Sequence, residues 1–208
     1  MVWHRVPRFV QQLFPKRIWK GDASDRRVYL TFDDGPVPGA TDYVLEELEK
    51  RGQKATFFMV GDNVRKHGGL AKEVASAGHR IGNHTYHHLK GWHTPNLRYL
   101  EDIRAFDDIL EEKLGLQTDL FRPPYGLMKS SQAKVLLETK RIVMWDVLSG
   151  DYDPSLPADR VLGESKVHTE AGSIVLFHDQ QKTKEVLPKV LPAYLDFLLE
   201  AGFQTALL

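Results

Sequence analysis

The chain has 208 residues, 42% of them apolar and 27% charged, with Lys plus Arg and Asp plus Glu balanced at 28 each. That suits one domain with a real core and leaves no overall charge to recruit nucleic acid or a membrane. There is no cysteine, so disulfides and thiolate chemistry are excluded and any metal must be held by His, Asp or Glu; no apolar run is long enough to span a bilayer.

The first segment, MVWHRVPRFVQQLFPKRIWK, makes a poor signal peptide. Arg8, Gln11 and Gln12 interrupt any apolar region, and no small-residue cleavage site follows. On that ground the expected compartment is the cytoplasm, with the periplasm or cell envelope left open. Val2/Trp3, Val6, Phe9/Val10 and Leu13 fall on one face at helical spacing, and Arg5, Arg8, Lys16, Arg17 and Lys20 face no acids. A basic amphipathic helix of this kind can lie on anionic lipid; packing against its own domain is the expected use. Residues 1–24 are therefore read as an arm packing on the domain and 25–208 as the domain itself.

Downstream, short apolar runs alternate with helical patterns. Val28–Phe32, Ala55–Val60, Arg80–Asn83, Leu120–Arg122, Ile142–Val147, Ser173–Phe177 and Phe203–Leu208 read as strands. Val44, Leu45 and Leu48 mark a helix stopped by Gly52. Leu97, Leu100, Ile103, Phe106, Leu110 and Leu114 mark a long one, with Thr94 as its cap and Pro95 in its first turn. Val186, Leu187, Val190, Leu191, Tyr194 and Leu198 mark the last. Seven strands alternating with helices predict a parallel α/β sheet, open or closed into a barrel, and the chain is short for an eight-unit barrel.

Polar clusters follow the strands. Asp33–Asp34 follow the first, His84–His88 the third, Arg122–Tyr125 the fourth, Asp151 the fifth and His178 the sixth. In a parallel α/β fold these strand ends share one face, where such folds build their sites. His84 and His88, at i and i+4, are predicted on one helical face, a common geometry for two imidazoles on one metal. His87 faces away from the pair. Asp34 or Asp33 can supply a third ligand, and the carboxylate left free beside metal-activated water is a candidate general base. In FRPPYG, Pro123 and Pro124 stiffen the backbone, Tyr125 N–H can serve as an oxyanion donor, and Arg122 can lock a carboxylate. Asp151 can orient His178 and raise its pKa; its rival, Asp179, reads as a loop carboxylate. Trp145 and Leu176 can form an apolar wall.

With these residues in place, the chain resembles the polysaccharide deacetylases, the NodB-homology group also called carbohydrate esterase family 4. The resemblance rests on Thr31-Phe32-Asp33-Asp34-Gly35, on His84-Thr85-Tyr86-His87-His88, on Arg122-Pro123-Pro124-Tyr125-Gly126 and on Leu176-Phe177-His178, in that order. It covers nearly everything beyond the arm. It implies a distorted (β/α) barrel, usually of seven strands, in one domain. It implies a divalent ion, zinc first with cobalt or nickel as alternatives, on Asp34, His84 and His88. It makes Asp33 the base, Arg122 its tether, His178 the acid, Asp151 the partner of His178 and Tyr125 the oxyanion donor. Pro124, Trp145, Tyr152 and Leu176 are the expected pocket. The family's Asp-x-x-Asp-Trp motif departs to Leu148-Ser149-Gly150-Asp151-Tyr152, which changes the pocket while sparing the second aspartate.

The implied activity is removal of acetyl groups from N- or O-acetylated sugars of a polysaccharide or oligosaccharide. The partner is then an acetylated glycan, with no nucleic acid and no stable membrane insertion; oligomeric state is left open. The rivals are hydrolysis of another non-peptide C–N bond, in a formamide, cyclic amide or ureide, and a non-catalytic carbohydrate-binding protein.

Overall fold

The computed structural model describes residues 3–208. Val2, the first member of the arm's predicted stripe, lies outside them. Strand β1 (Arg27–Asp33) is central. It is flanked by β2 (Thr56–Met59) and, through a later part of the chain, by β7 (Ile174–His178). With β3 (Arg80–Asn83), β4 (Leu120–Phe121), β5 (Arg141–Ile142) and β6 (Val147–Leu148), the order is β5-β4-β3-β2-β1-β7-β6, all parallel. The seven strands curl into a half-barrel. A short β8 (Gln204–Thr205) pairs with the start of β1.

Alternation along β1 sets its two faces. Val28, Leu30 and Phe32 point to the helical layer, where Phe32 stacks on Phe57 at 5.2 Å. There they meet α2 (Thr41–Lys50) through Val44 and Leu48 and α8 (Leu187–Glu200) through Leu191, Tyr194 and Leu198. Tyr29, Thr31 and Asp33 alternate with them and so take the barrel interior. The third aspect of the core is built by α5 (Asn96–Leu114), whose Ile103 and Tyr99 pack with Phe121 and Ile142. The remaining helices are α3 (Gly61–Lys66), α4 (Gly68–Ser76), α6 (Ser130–Leu136) and α7 (Ala158–His168). Among the described residues no helix is long and apolar enough to cross a membrane.

Three local expectations are corrected. The run Ile142–Val147 is not one strand, because β5 and β6 lie at opposite edges of the sheet and the chain must cross the gap between them. Of Phe203–Leu208 only Gln204–Thr205 pairs as a strand. Thr94 does not cap α5: its Oγ1 donates to Lys90 O, and Pro95 takes the cap position.

The arm fills the gap between β5 and β6. Ile18 N–H donates to Ile142 O, Ile18 O accepts from Met144, Val6 N–H donates to Asp146 O and His4 O accepts from Leu148. Trp19 is buried, and Val6, Val10 and Phe14 pack beside it. Helix α1 (Arg8–Leu13) has no fully buried residue and meets this cluster only through Val10, and Trp3, Phe9 and Leu13 point outward.

Candidate active site

Asp33 and Asp34 are adjacent in sequence, yet both reach one cleft. Asp33 arrives by the period-two alternation that puts Tyr29 and Thr31 inside. Asp34 then leaves the strand with φ of 79°, in the left-handed region. That turn redirects a side chain that continued extension would have sent to the helical face. Asn63 Nδ2 holds the turn by donating to Asp34 O at 2.8 Å.

Arg122 lies wholly inside the barrel. Its Nη1 donates to Thr31 Oγ1 at 2.8 Å and to Asp33 Oδ1 at 2.7 Å, its Nη2 to Met144 O and its Nε to Val143 O. The guanidinium lies 4.1 Å over the Phe58 ring. Gly82 makes room for that ring, since a Cβ there would come within 2.5 Å of it. Burial pulls the Arg122 pKa down, and Asp33 opposes it. A buried charge pair of this kind holds because every guanidinium nitrogen finds at least one acceptor.

The two histidines do not share a helix. They sit in an irregular loop after β3, with Thr85 at φ 63° and His88 at φ 55°. His84 Nδ1 donates to Arg122 O at 2.8 Å, which fixes the tautomer and leaves Nε2 as the free lone pair. That Nε2 lies 3.5 Å from Asp34 Oδ1 and 3.7 Å from Asp33 Oδ2, and His88 Nε2 lies 3.0 Å from Asp34 Oδ1. Burial opposes the Asp34 charge, and the imidazoles outweigh it only in their protonated form, holding the carboxyl well below the usual carboxylate range. Yet Asp34 Oδ1 is buried without a hydrogen-bonding donor. One carboxylate oxygen and two imidazole nitrogens, all within 4.8 Å of one another, fit a divalent cation: the donor set is the kind such ions take, and the orphaned oxygen needs a positive partner.

His178 and Asp33 are register partners on β7 and β1, so their side chains emerge on the same face. His178 Nδ1 bonds Asp151 Oδ1 at 2.8 Å, and the His178 N–H donates to Asp151 Oδ2. Ser149 Oγ donates to the same Oδ1. Burial alone would lower the His178 pKa, but Asp151, with Asp34 and Asp33 farther off, raises it to about 9. The imidazole is therefore protonated at neutral pH.

The cleft has a volume of about 640 Å³. Trp145, Leu148, Tyr152 and Leu176 line it, and Tyr152 meets His178 edge-on at 5.2 Å. Tyr125, at φ 61°, lays its half-exposed ring 4.8 Å from His88. Pro124 is buried and is not among the residues that line the cleft. Lys182, from the loop after β7, lines the rim and was not anticipated.

Two further acids were not legible as site residues. Asp102 on α5 accepts the backbone N–H of Tyr86 at 2.8 Å and of His87 at 2.9 Å through Oδ1, and the His87 ring through Oδ2 at 2.6 Å. It thereby pins the loop between the two metal-facing histidines, and it is where the His87 side chain goes. Asp179 is no surface loop carboxylate: it is fully buried, accepts Gly35 N–H at 3.1 Å and receives Thr41 Oγ1 at 2.6 Å. A Cβ on Gly35 would sit 2.1 Å from its carboxylate, so only glycine fits there. Burial, and then Asp34, push the Asp179 pKa well up.

A family model described as polysaccharide deacetylase matches residues 20–141. The peptidoglycan-N-acetylglucosamine deacetylase of Bacillus cereus is 33% identical over 186 residues, covering 84% of this chain; the chain spans 65% of that relative's length. A crystal structure of a peptidoglycan N-acetylglucosamine deacetylase bound to an N-oxidanyl-benzamide superposes with a TM-score of 0.84 at 31% identity, covering 93% of this chain and 91% of that one. A CE4-family pseudoenzyme from Bacillus anthracis also superposes, with a TM-score of 0.82 at 25% identity, covering 94% of this chain and 68% of that one. The half-barrel, the order of the clustered strand-end residues and the family match agree, and the chain belongs to the polysaccharide deacetylase family.

Proposed function

We propose that this chain hydrolyses the acetamide of an N-acetylated glycan, giving acetate and the free amine. Peptidoglycan is the first glycan to test, because the relatives above are named for it. The observation that carries the reading is the placement of Asp33 and His178 as register partners beside the Asp34, His84 and His88 cluster.

Asp34, His84 and His88 would hold a divalent cation, whose charge acidifies water and stabilises negative charge at a carbonyl oxygen. The chain's own residues supply the proton traffic. Asp33 gives Oδ1 to Arg122 and keeps Oδ2 facing the cluster, so Oδ2 takes the proton of the attacking water. His178 commits Nδ1 to Asp151, so its Nε2–H protonates the leaving nitrogen as the C–N bond breaks. The Tyr125 backbone N–H is assigned the carbonyl oxygen. Trp145, Leu148 and Leu176 offer apolar surface to the acetyl methyl and exclude water from that side.

A pseudoenzyme on the same fold makes a non-catalytic reading concrete. Two intact pairs, Asp33 with Arg122 and His178 with Asp151, speak against it, since binding alone needs no acid and base. The test is acetate release from N-acetylglucosamine oligomers and peptidoglycan by metal-stripped protein, with and without added Zn²⁺, beside Asp33→Asn. Metal-dependent release that the variant lacks is expected. Absence of release from protein shown to hold metal, on every acetylated glycan tried, would move the reading to another C–N substrate or to binding.

A further inference from the structure

From the outer face of the arm we infer a docking surface for an anionic phospholipid bilayer. Five of the 28 Lys and Arg residues and none of the 28 Asp and Glu residues lie in the first 21 positions. The chain is neutral overall but polarised, with a positive arm on a negative body.

Three of the five arm cations are already engaged within the protein. Arg5 and Lys20 pair with Glu170, and Lys20 also approaches Asp146. Arg17 turns in over Phe14 at 4.1 Å. Arg8 and Lys16 are left exposed, with no carboxylate partner among the described residues. Lys134 of α6 borders the same surface, across a shallow groove from Lys16.

Beside these cations three large apolar side chains face solvent. Trp3 is 56%, Phe9 59% and Leu13 68% exposed. Phe9 and Leu13 stand one turn apart on α1, so they project together. A six-residue helix has little stability alone. Here it is held at both ends, by the Val6 and His4 hydrogen bonds to the 146–148 segment and by Ile18 against β5. The anchored arm thus presents its apolar knobs without having to fold at the membrane. Exposed Trp, Phe and Leu beside Lys and Arg is the composition that sits at a bilayer interface, and an anionic surface selects this face because the rest of the molecule is negative. His4 bonds Leu148, which lines the cleft, so the chain just after Trp3 is tied to the cleft's β6 wall.

The experiment is co-sedimentation of the full chain with vesicles of phosphatidylcholine, and of phosphatidylcholine with phosphatidylglycerol, at low and high salt. Binding only to the anionic vesicles, weakened by salt, is expected. The pair Arg8→Glu/Lys16→Glu should lower it at least about tenfold. Phe9→Ser/Leu13→Ser should lower it at both salts while keeping the salt dependence. Neither pair should change the melting temperature, because Arg8, Phe9, Leu13 and Lys16 are all exposed. No partition onto anionic vesicles, or partition unchanged in both variants, overturns the inference. So does a dimer in solution that the Phe9/Leu13 variant breaks, which would assign the face to a second copy of the chain.

Discussion

Arg122 donates to Asp33 at 2.7 Å with both side chains buried, Arg122 completely and Asp33 at the floor of the cleft. The pair is worth more to the protein intact than either half, because removing one partner leaves the other charge buried and unpaired. Arg122→Met should therefore cost about 3–5 kcal/mol, read as a shifted urea midpoint. The double variant Arg122→Met/Asp33→Leu should recover much of that stability while remaining inactive. A single Arg122→Met variant as stable as the parent would mean the pair does not organise the barrel interior.

Asp151 should set the alkaline limb of the activity profile. His178 keeps its proton to about 9 in the folded protein against 6.5 for an ordinary imidazole. A raised basic group stabilises the fold fully below 6.5, and that contribution is lost as pH rises through about 9. The same proton is the one assigned to the leaving nitrogen. In Asp151→Asn the imidazole loses its nearest negative charge, so the alkaline limb of kcat/KM should move down by roughly 1–2 pH units. An unmoved limb would assign the proton donor to another group.

The parts of the site that chain chemistry alone reveals are those whose residue type is unusual for its place. Two aspartates ending an apolar strand, an arginine beside two prolines and a histidine ending the most apolar run could be read without coordinates. The spacing of His84 and His88 was misleading, because i and i+4 suggested a helix where two left-handed residues fold a loop. Asp102 was invisible for the opposite reason. An acid on a long amphipathic helix looks like part of a solvated face, and only the packing of α5 against the loop turns it inward. The break between β5 and β6 was equally hidden, since sheet order is decided by which strands meet across the chain and not by the run itself.

Asp102 should govern metal affinity without touching the metal. It holds the backbone at Tyr86 and His87 and the His87 ring, and so fixes the path from His84 to His88. Asp102→Ala should weaken zinc binding by roughly 10–100-fold in chelator competition, with apoprotein stability falling by only about 1–3 kcal/mol for the donors left unpaired. His87→Ala, which removes only the exposed ring, should leave affinity close to the parent's. Equal losses in the two variants would place the effect in the ring and not in the loop.

Asp179 ties the exit of β7 to the turn that carries Asp34, and its burial favours the neutral acid over the carboxylate. Its folded pKa is pushed up by burial and by Asp34, while the unfolded carboxyl titrates near 3.8. Above that ordinary value the folded state binds the extra proton, so the group's contribution is complete at acid pH and declines as pH rises. Asn keeps the acceptor for Gly35 N–H and carries no charge; its Nδ2 cannot accept the Thr41 hydroxyl, which must turn to receive an N–H instead. Asp179→Asn should therefore raise the melting temperature at neutral pH by roughly 2–4 °C, on the order of 1 kcal/mol, and the gain should vanish near pH 3. Asp179→Leu, which orphans both donors, should instead destabilise at every pH. If the Asn variant melts lower than the parent at neutral pH, the carboxylate is ionised in the fold and its charge serves the site directly.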